Sequence, residues 1–385
     1  MNILHLTHTD IESDSRILKE MNCIADENVS YKVMGIGVTL KEELHKTKAD
    51  QKLKIDSIVL RSRGWKFLPT LLRHSCSLME LTTKMIFKAL KRKPQVVHCN
   101  DTLVLPLGIL LKWLTGCKVI YDAHELESDR NGISKTLGKM TLFVEKALWR
   151  WVDALIVVSP SIEKWYKAKV GEKYSQVIMN APVLKEDIAT FDREYLRNRF
   201  QIPKESKIFL YIGILGRGRG IELMLEAFKQ KDITSHLIFL GYGDMENSLQ
   251  TIAKEYDNIH LHPAVPHEEV VAVAKSADVG MCLIENVSLS DYYCLPNKMF
   301  EYCFAGVPIL ASNFPDISDV VDRYNLGKYC DLSVESIHDT VKEIEREDSL
   351  PKVDPKKLYD LSWAAQEEKL RELYKYVIKL KEGEK

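Results

Sequence analysis

Short β-rich runs alternate with stretches of helical spacing, stop, and then alternate again; no other feature of this 385-residue sequence constrains its fold as strongly. The first series is Ile3 to Leu6, Lys32 to Ile36, Ser57 to Leu60, Val96 to His98, Lys118 to Tyr121, Ala154 to Val158 and Gln176 to Met179. The second is Ile208 to Ile212, His236 to Leu240, Ile259 to His262, Val279 to Leu283 and Pro308 to Ser312. Strands separated by helices pair in parallel, so each series predicts an α/β, doubly wound sheet covered on both faces. The polar connection "NAPVLKEDIATFDREYLRNRFQIP", 180 to 203, separates them, with a hinge near Pro182. This gives domains over 1–182 and 183–362. Open parallel sheets take ligands at the carboxyl ends of their strands, so two such edges facing a central cleft suit a two-substrate transfer.

A hydrophobic share of 45% with 28% charged residues is that of a soluble globular enzyme. The formal net charge of -1 excludes a surface built throughout for nucleic acid, and no nucleic-acid module is visible. Eight cysteines, none in a C-x-x-C pair, read as a reduced, cytoplasmic inventory rather than a disulfide framework or zinc knuckle. Leu103 to Leu114, the longest apolar stretch, is broken by Pro106 and Lys112 and is too short to span a bilayer. One patch departs from this neutrality. Residues 61–93 hold nine lysines and arginines against the single acid Glu80, interleaved with Trp65, Phe67, Leu68, Leu71, Leu72, Leu78, Met85, Ile86 and Phe87. That composition predicts peripheral contact with an anionic membrane surface, at its inner, cytoplasmic face.

"YIGILGRGRGIELMLEAF", 211 to 228, joins a strand to a helix whose apolar positions are Ile221, Leu225 and Phe228. Gly213, Gly216, Gly218 and Gly220 let the backbone approach a ligand, and the helix start offers unpaired N–H groups that suit phosphate. The spacing spells neither the dinucleotide fingerprint nor a P-loop. With Arg217 and Arg219 in the same turn, the expected ligand is a diphosphate. A second motif, "CLPNKMFEYCFAGVPILAS", runs from 294 to 312. Pro296 suits a helix start, Gly306 a C-terminal cap, and Pro308 stops further helix. Asn297 and Glu301 stand four apart on one face, roughly 6 Å along the axis, about the reach from a phosphate to the hydroxyls of its ribose. Leu295, Pro296, Asn297, Lys298 and Glu301 are therefore expected to hold a nucleoside diphosphate, with mainly backbone near Gly241 and Val265 where its base could lie.

Together these two motifs resemble the donor domain of the family-4 glycosyltransferases, whose two-Rossmann-domain architecture is called GT-B. "VVHCND" at 96, "YDAHE" at 121, "VSP" at 158 and "SWAAQEEKLRELY" at 362 resemble further landmarks of that family. The resemblance implies that a C-terminal helix, 363–385, crosses back to the N-terminal domain. It implies that Arg219 takes the place of a lysine gripping the diphosphate, that Glu301 is the second acid of the E-x7-E motif, and that His124 reaches the transferred sugar. It implies retention, with the leaving diphosphate serving as base, and uridine as the commonest base. The sequence departs from the family at Tyr293, in place of the first acid, at Ile214, in place of an arginine, and at "THTDIESDSR", in place of a glycine-rich loop.

A leaving diphosphate gains charge as the glycosidic bond breaks, so positive charge must wait for it. No two aspartates stand one residue apart, so the expected cations are Arg217, Arg219 and Lys298, with no metal and no cofactor beyond the nucleotide sugar itself. The expected catalytic residues are His124, Arg219 and Glu301. His98 and His124 stand at strand ends, and His98 with Asp14, Arg16 and Asp101 supplies the candidate acceptor contacts. The function expected is transfer of a sugar, a hexose or N-acetylhexosamine, to a glycan or lipid-linked acceptor in cell-surface polysaccharide or glycolipid synthesis. Two other readings stay open: a nucleotide-sugar epimerase of the same architecture, and a non-catalytic nucleotide-binding scaffold at a membrane complex.

Overall fold

Apolar runs buried along nearly their whole length build both sheets inside their edge strands, as parallel strands covered on two faces require. The computed structural model describes residues 1–28, 30–39, 53–183, 191–347 and 350–383. The chain divides into two units, Met1–Ile178 with Glu367–Lys385, and Met179–Gln366. The middle of the polar connection, 184–190, lies outside the described residues.

The first unit holds β1 (Asn2–Leu6), β2 (Lys32–Thr39), β3 (Lys54–Val59), β4 (Val96–Asn100), β5 (Lys118–Ala123), β6 (Ala154–Val157) and β7 (Ser175–Val177). They pair in parallel in the order β3-β2-β1-β4-β5-β6-β7. The order reverses direction between β1 and β4, which opens a crevice at their carboxyl ends. The C-terminal helix Trp363–Glu382 returns to this unit: its Tyr374 is buried against His5 of β1 and His98 of β4, and its Lys381 Nζ donates to the Gly116 carbonyl at 2.8 Å.

The second unit repeats the winding with β8 (Ile208–Ile214), β9 (His236–Tyr242), β10 (Ile259–Pro263), β11 (Val279–Cys282), β12 (Ile309–Ser312) and β13 (Gly327–Cys330). Their order is β10-β9-β8-β11-β12-β13, so its switch point lies between β8 and β11. Its core gathers Phe209, Tyr211, Phe228 and Phe239, with Phe209 edge-on to Phe228 at 5.3 Å. β13, "GKYC", has no apolar run, and the sequence reading passes over it.

In the basic segment, helix Thr70–Arg92 buries Leu81, Met85 and Ala89, spaced by four, against the first sheet. Met85, expected among the membrane-facing residues, is therefore a core residue instead. Phe67, Leu72, Leu78 and Phe87 are exposed, as is Met79; the side chain of Leu71 lies outside the described residues. Glu80, the segment's single acid, is partly buried and held by local partners. It accepts from the Ser62 amide at 2.8 Å and from Lys84 Nζ at 2.6 Å, which hold its carboxyl down to about 2 against the effect of burial.

Candidate functional site

The carboxyl end of β8 turns through Gly213–Gly220 into helix Ile221–Phe228. Gly220 turns the chain at φ +70°, a conformation that a side chain strains, and its amide donates to Glu285 Oε1 at 3.0 Å. Glu285 thus occupies one donor at the helix start, a contact absent from the sequence reading. The neighbouring strand comes so close that a Cβ on Gly241 would stand 1.9 Å from the Gly213 carbonyl oxygen. Gly241 therefore serves strand packing. In the turn, Gly213, Gly216 and Arg219 are partly exposed, Arg217 is exposed, and Gly218 is buried. Arg219 Nη1 lies 4.0 Å from Asp291 Oδ1.

Lys298 supplies the most informative atom of this unit. It stands in the first turn of helix Asn297–Ala305, whose N-cap Pro296 gives no side-chain cap. Tyr302 of the same helix fixes its position: the hydroxyl donates to the Leu210 carbonyl at 2.7 Å and accepts from the Ile212 amide at 2.8 Å. Lys298 Nζ is out of reach of solvent and has no hydrogen-bond partner among the described residues; it lies over the Tyr211 ring at 3.7 Å from the centroid. A Cβ on Gly213 would lie 3.9 Å from it, so the ammonium points into the glycine turn. Burial pushes its pKa down to about 8. Glu301, one turn deeper, is buried with His267 Nδ1 at 3.9 Å from its Oε1. Leu295 is buried, Asn297 is exposed, and Pro296 and Val265 are partly exposed. One wall thus brings together Arg219, Lys298, an uncapped helix start and a carboxylate, the elements that bind a phosphate and a diol.

In the first unit, His8, Asp101 and His124 follow the carboxyl ends of β1, β4 and β5. His124 Nδ1 lies 3.6 Å from Asp101 Oδ1, and His8 Nδ1 3.7 Å from Asp101 Oδ2. Asp101 holds φ at +70°, strained for a residue other than glycine, and such strain gathers at functional sites. Beneath this rim lies a buried network. Asp122 takes Arg16 Nη2 at 3.1 Å on Oδ1 and lies 3.3 Å from His124 Nε2 through Oδ2. Arg16 Nε also lies 3.1 Å from Glu20 Oε1, and Arg16 Nη1 donates to the Ile178 carbonyl at 2.9 Å. Burial works against the His124 imidazolium, but Asp122 and then Asp101 outweigh it and push its pKa up to about 10. Arg16 and His124 hold the Asp122 carboxyl well below its usual range despite burial. Burial and the Asp122 charge push Glu20 up to about 8.

Two expected acceptor contacts, His98 and Arg16, are corrected by this arrangement, and a third, Asp14, has a local role. His98 is fully buried: its Nδ1 stands 2.8 Å from the Tyr374 hydroxyl, which also reaches His5 Nε2 at 3.1 Å, donating to one ring and accepting from the other. Arg16 is buried in its ion pairs. Asp14 caps helix Ser15–Glu27 by accepting from the Arg16 and Ile17 amides. Only Asp101 of that set reaches the rim. Strand logic could have found Asp122 and His5, since Asp122 precedes His124 by two residues on the same face of the strand, and His5 pairs directly with His98. His5, Glu20 and His98 hold donor atoms within 4.8 Å of one another. Their two imidazoles, however, are stacked at 4.3 Å and 23°, so the in-plane lone pairs run side by side and cannot converge on one ion.

The family profile "Glycosyl transferases group 1" matches residues 192–357, and "Glycosyl transferase 4-like domain" matches 52–180. The chain is 25% identical over 259 residues to the chitobiosyldiphosphodolichol beta-mannosyltransferase of Candida albicans, covering 60% of this chain and 53% of that protein. It spans about half the length of the curated relatives it matches. Sucrose-phosphate synthase from Thermosynechococcus elongatus superposes with a TM-score of 0.74 at 16% identity, over 98% of this chain and 99% of its own. Anabaena HepE, solved in complex with UDP-glucose, superposes with a TM-score of 0.72 at 12% identity, over 97% and 99%.

Proposed function

The chain belongs to the family-4-type glycosyltransferases of GT-B fold, and on that premise we propose that it moves a sugar from a nucleoside-diphosphate sugar, a UDP-sugar first among them, to a glycan or lipid-linked acceptor. The observation that carries this reading is the Lys298 ammonium, buried, unpartnered among the described residues and aimed at the glycine turn. A buried cation without an anion is costly, and a diphosphate in the turn supplies the missing partner. Arg219 and Lys298 meet the charge that develops on the leaving diphosphate, with Arg217 beside them, so the reaction needs no metal on these residues' account. Glu301 accepts the ribose hydroxyls. On the first unit His124, held as imidazolium by Asp122 and Asp101, donates to the reacting sugar.

Calorimetric titration with UDP tests the donor half. Glu301→Gln is expected to weaken binding about tenfold, the loss of a charge-assisted hydrogen bond; an unchanged Kd removes Glu301 from the ribose. We assign the transfer retention of configuration, with the leaving diphosphate as base toward the incoming hydroxyl. The Candida relative is named a beta-mannosyltransferase. Proton NMR of the product's anomeric coupling decides between outcomes, and an inverted centre removes this mechanism.

A lipid-linked acceptor accords with that relative's name, chitobiosyldiphosphodolichol, and with the exposed Phe67, Leu72, Leu78 and Phe87 of the basic segment. No described helix is long and apolar enough to cross a membrane; the contact proposed for residues 61–93 is one at the headgroup level. Flotation with phosphatidylglycerol vesicles is expected to carry the protein at low salt and to release it at high salt. Failure to float, or binding indifferent to salt, removes the electrostatic contact.

A further inference from the structure

Helix Lys135–Leu148 shows Leu137, Met140 and Phe143 to solvent, 47%, 57% and 70% exposed. Apolar side chains so open need an account, because a soluble surface seldom gathers three on one helix face. At about 100° per residue, Lys135, Lys139 and Lys146 fall within a stripe roughly 40° wide that borders this apolar face. The helix's one acid, Glu145, is turned inward, accepting from the Tyr121 and Tyr166 hydroxyls at 2.7 Å each. Its outer surface is therefore apolar and cationic without an opposing charge. That is the distribution of a helix lying at the headgroup level, with lysine stems reaching toward anionic phosphates.

We propose that helix Lys135–Leu148 is a second membrane-contacting element, which together with residues 61–93 seats the first unit on an anionic lipid surface. This rests on the membrane reading above and extends it to a part of the chain that composition does not mark. Both elements leave the carboxyl edge of the same sheet, the basic segment after β3 and this helix after β5. The helix is fixed to the strand that carries His124: Tyr121 lies on β5, and a Cβ on Gly138 would meet the Ser128 carbonyl oxygen at 2.3 Å. The bilayer surface is thereby set beside the His8–Asp101–His124 rim, which suits an acceptor whose headgroup projects from the membrane. Two copies of this face would oppose lysine to lysine, which disfavours a homodimer there.

Sedimentation with vesicles of phosphatidylglycerol and phosphatidylcholine compares the wild type with Phe67→Glu/Phe87→Glu and Met140→Glu/Phe143→Glu. Each pair is expected to reduce the bound fraction by about tenfold, since the two elements contribute together. Lys135→Gln/Lys139→Gln, which leaves the apolar face intact, is expected to lose binding to the anionic vesicles in the same direction. If the first pair releases the protein while the second pair and the lysine variant bind as wild type, the helix has no part in the contact, though the membrane reading stands. If the wild type does not sediment, both fall. Salt-sensitive binding to DNA without vesicle binding overturns the lipid assignment as well.

Discussion

Replacing Asp122 with alanine is expected to destabilise the first unit by about 3–5 kcal/mol, the usual result of removing one partner from a buried ion pair. Arg16 would keep a buried guanidinium beside Glu20 alone, and His124 would lose the nearer of its two carboxylates. For a unit of this size the thermal midpoint should fall on the order of 10 °C. Calorimetry resolves the effect if the two units unfold as separate transitions, and a midpoint for this unit within a degree or two of wild type would show that the network is dispensable. His124→Gln should cost far less, because that ring reaches the rim and leaves the Arg16–Asp122 pair whole.

The same network fixes a pH dependence whose sign follows from linkage. His124 has a folded-state pKa of about 10 against an ordinary 6.5, so its pairing contributes fully below 6.5 and is lost as pH rises through 10. Glu20 at about 8, and the buried Glu127, which burial and then the Asp101 charge push up to about 9, also bind protons more tightly folded than unfolded and act in the same direction from 4.5 upward. The first unit should therefore lose stability steadily between pH 6.5 and 10. Lys298, with its pKa lowered to about 8, acts oppositely: the second unit is relieved of a buried charge between 8 and 10.5. A pH series of calorimetric scans should show the two transitions moving in opposite directions between pH 8 and 9; above 9 the buried Cys282, Cys294, Cys303 and Cys330 thiols, each pushed up from an ordinary 9 by burial, turn the second unit in the same direction as the first.

The architecture is legible because parallel strands buried on both faces must be written as apolar runs, and β1, β4, β6, β8 and β9 are. β13 escapes because an edge strand of four residues, of which only Cys330 is buried, carries no such run. At the proposed donor site, glycines and cations in one turn mark Arg217 and Arg219 by spacing, and Lys298 stands out separately in the first turn of the second motif. What spacing cannot convey is which side of a strand end meets solvent. His98 and His124 both close β-rich runs in the sequence, yet β4 runs on to Asn100 and holds His98 in the interior beside His5 and Tyr374, whereas β5 stops at Ala123 and leaves His124 at the rim. Nor does local sequence reveal Tyr374, which joins the network from the far end of the chain. Its contribution exists only once helix Trp363–Glu382 has crossed back.

Lys298→Met is expected to separate stability from binding in the second unit. The side chain is of similar length and reach, and it removes an ammonium that burial disfavours and that only the Tyr211 ring and remote charges offset. The ligand-free unit should therefore unfold at a higher temperature than wild type, while affinity for UDP falls by about one to two powers of ten, the equivalent of a charge-assisted hydrogen bond of roughly 1.5–3 kcal/mol. Arg219→Ala, which removes the partly exposed cation of the same wall, should slow turnover by a similar factor, about 10- to 100-fold, without the gain in stability. The pH profile tells the two apart. Wild-type affinity should decline as pH rises through about 8, where Lys298 gives up its proton, and Arg219→Ala should keep that decline. Lys298→Met should lose it, leaving a flat profile. An equally stable Lys298→Met variant that binds UDP as tightly as wild type at pH 7 would mean the buried ammonium awaits some other anion, and the diphosphate would have to be placed elsewhere on this sheet edge.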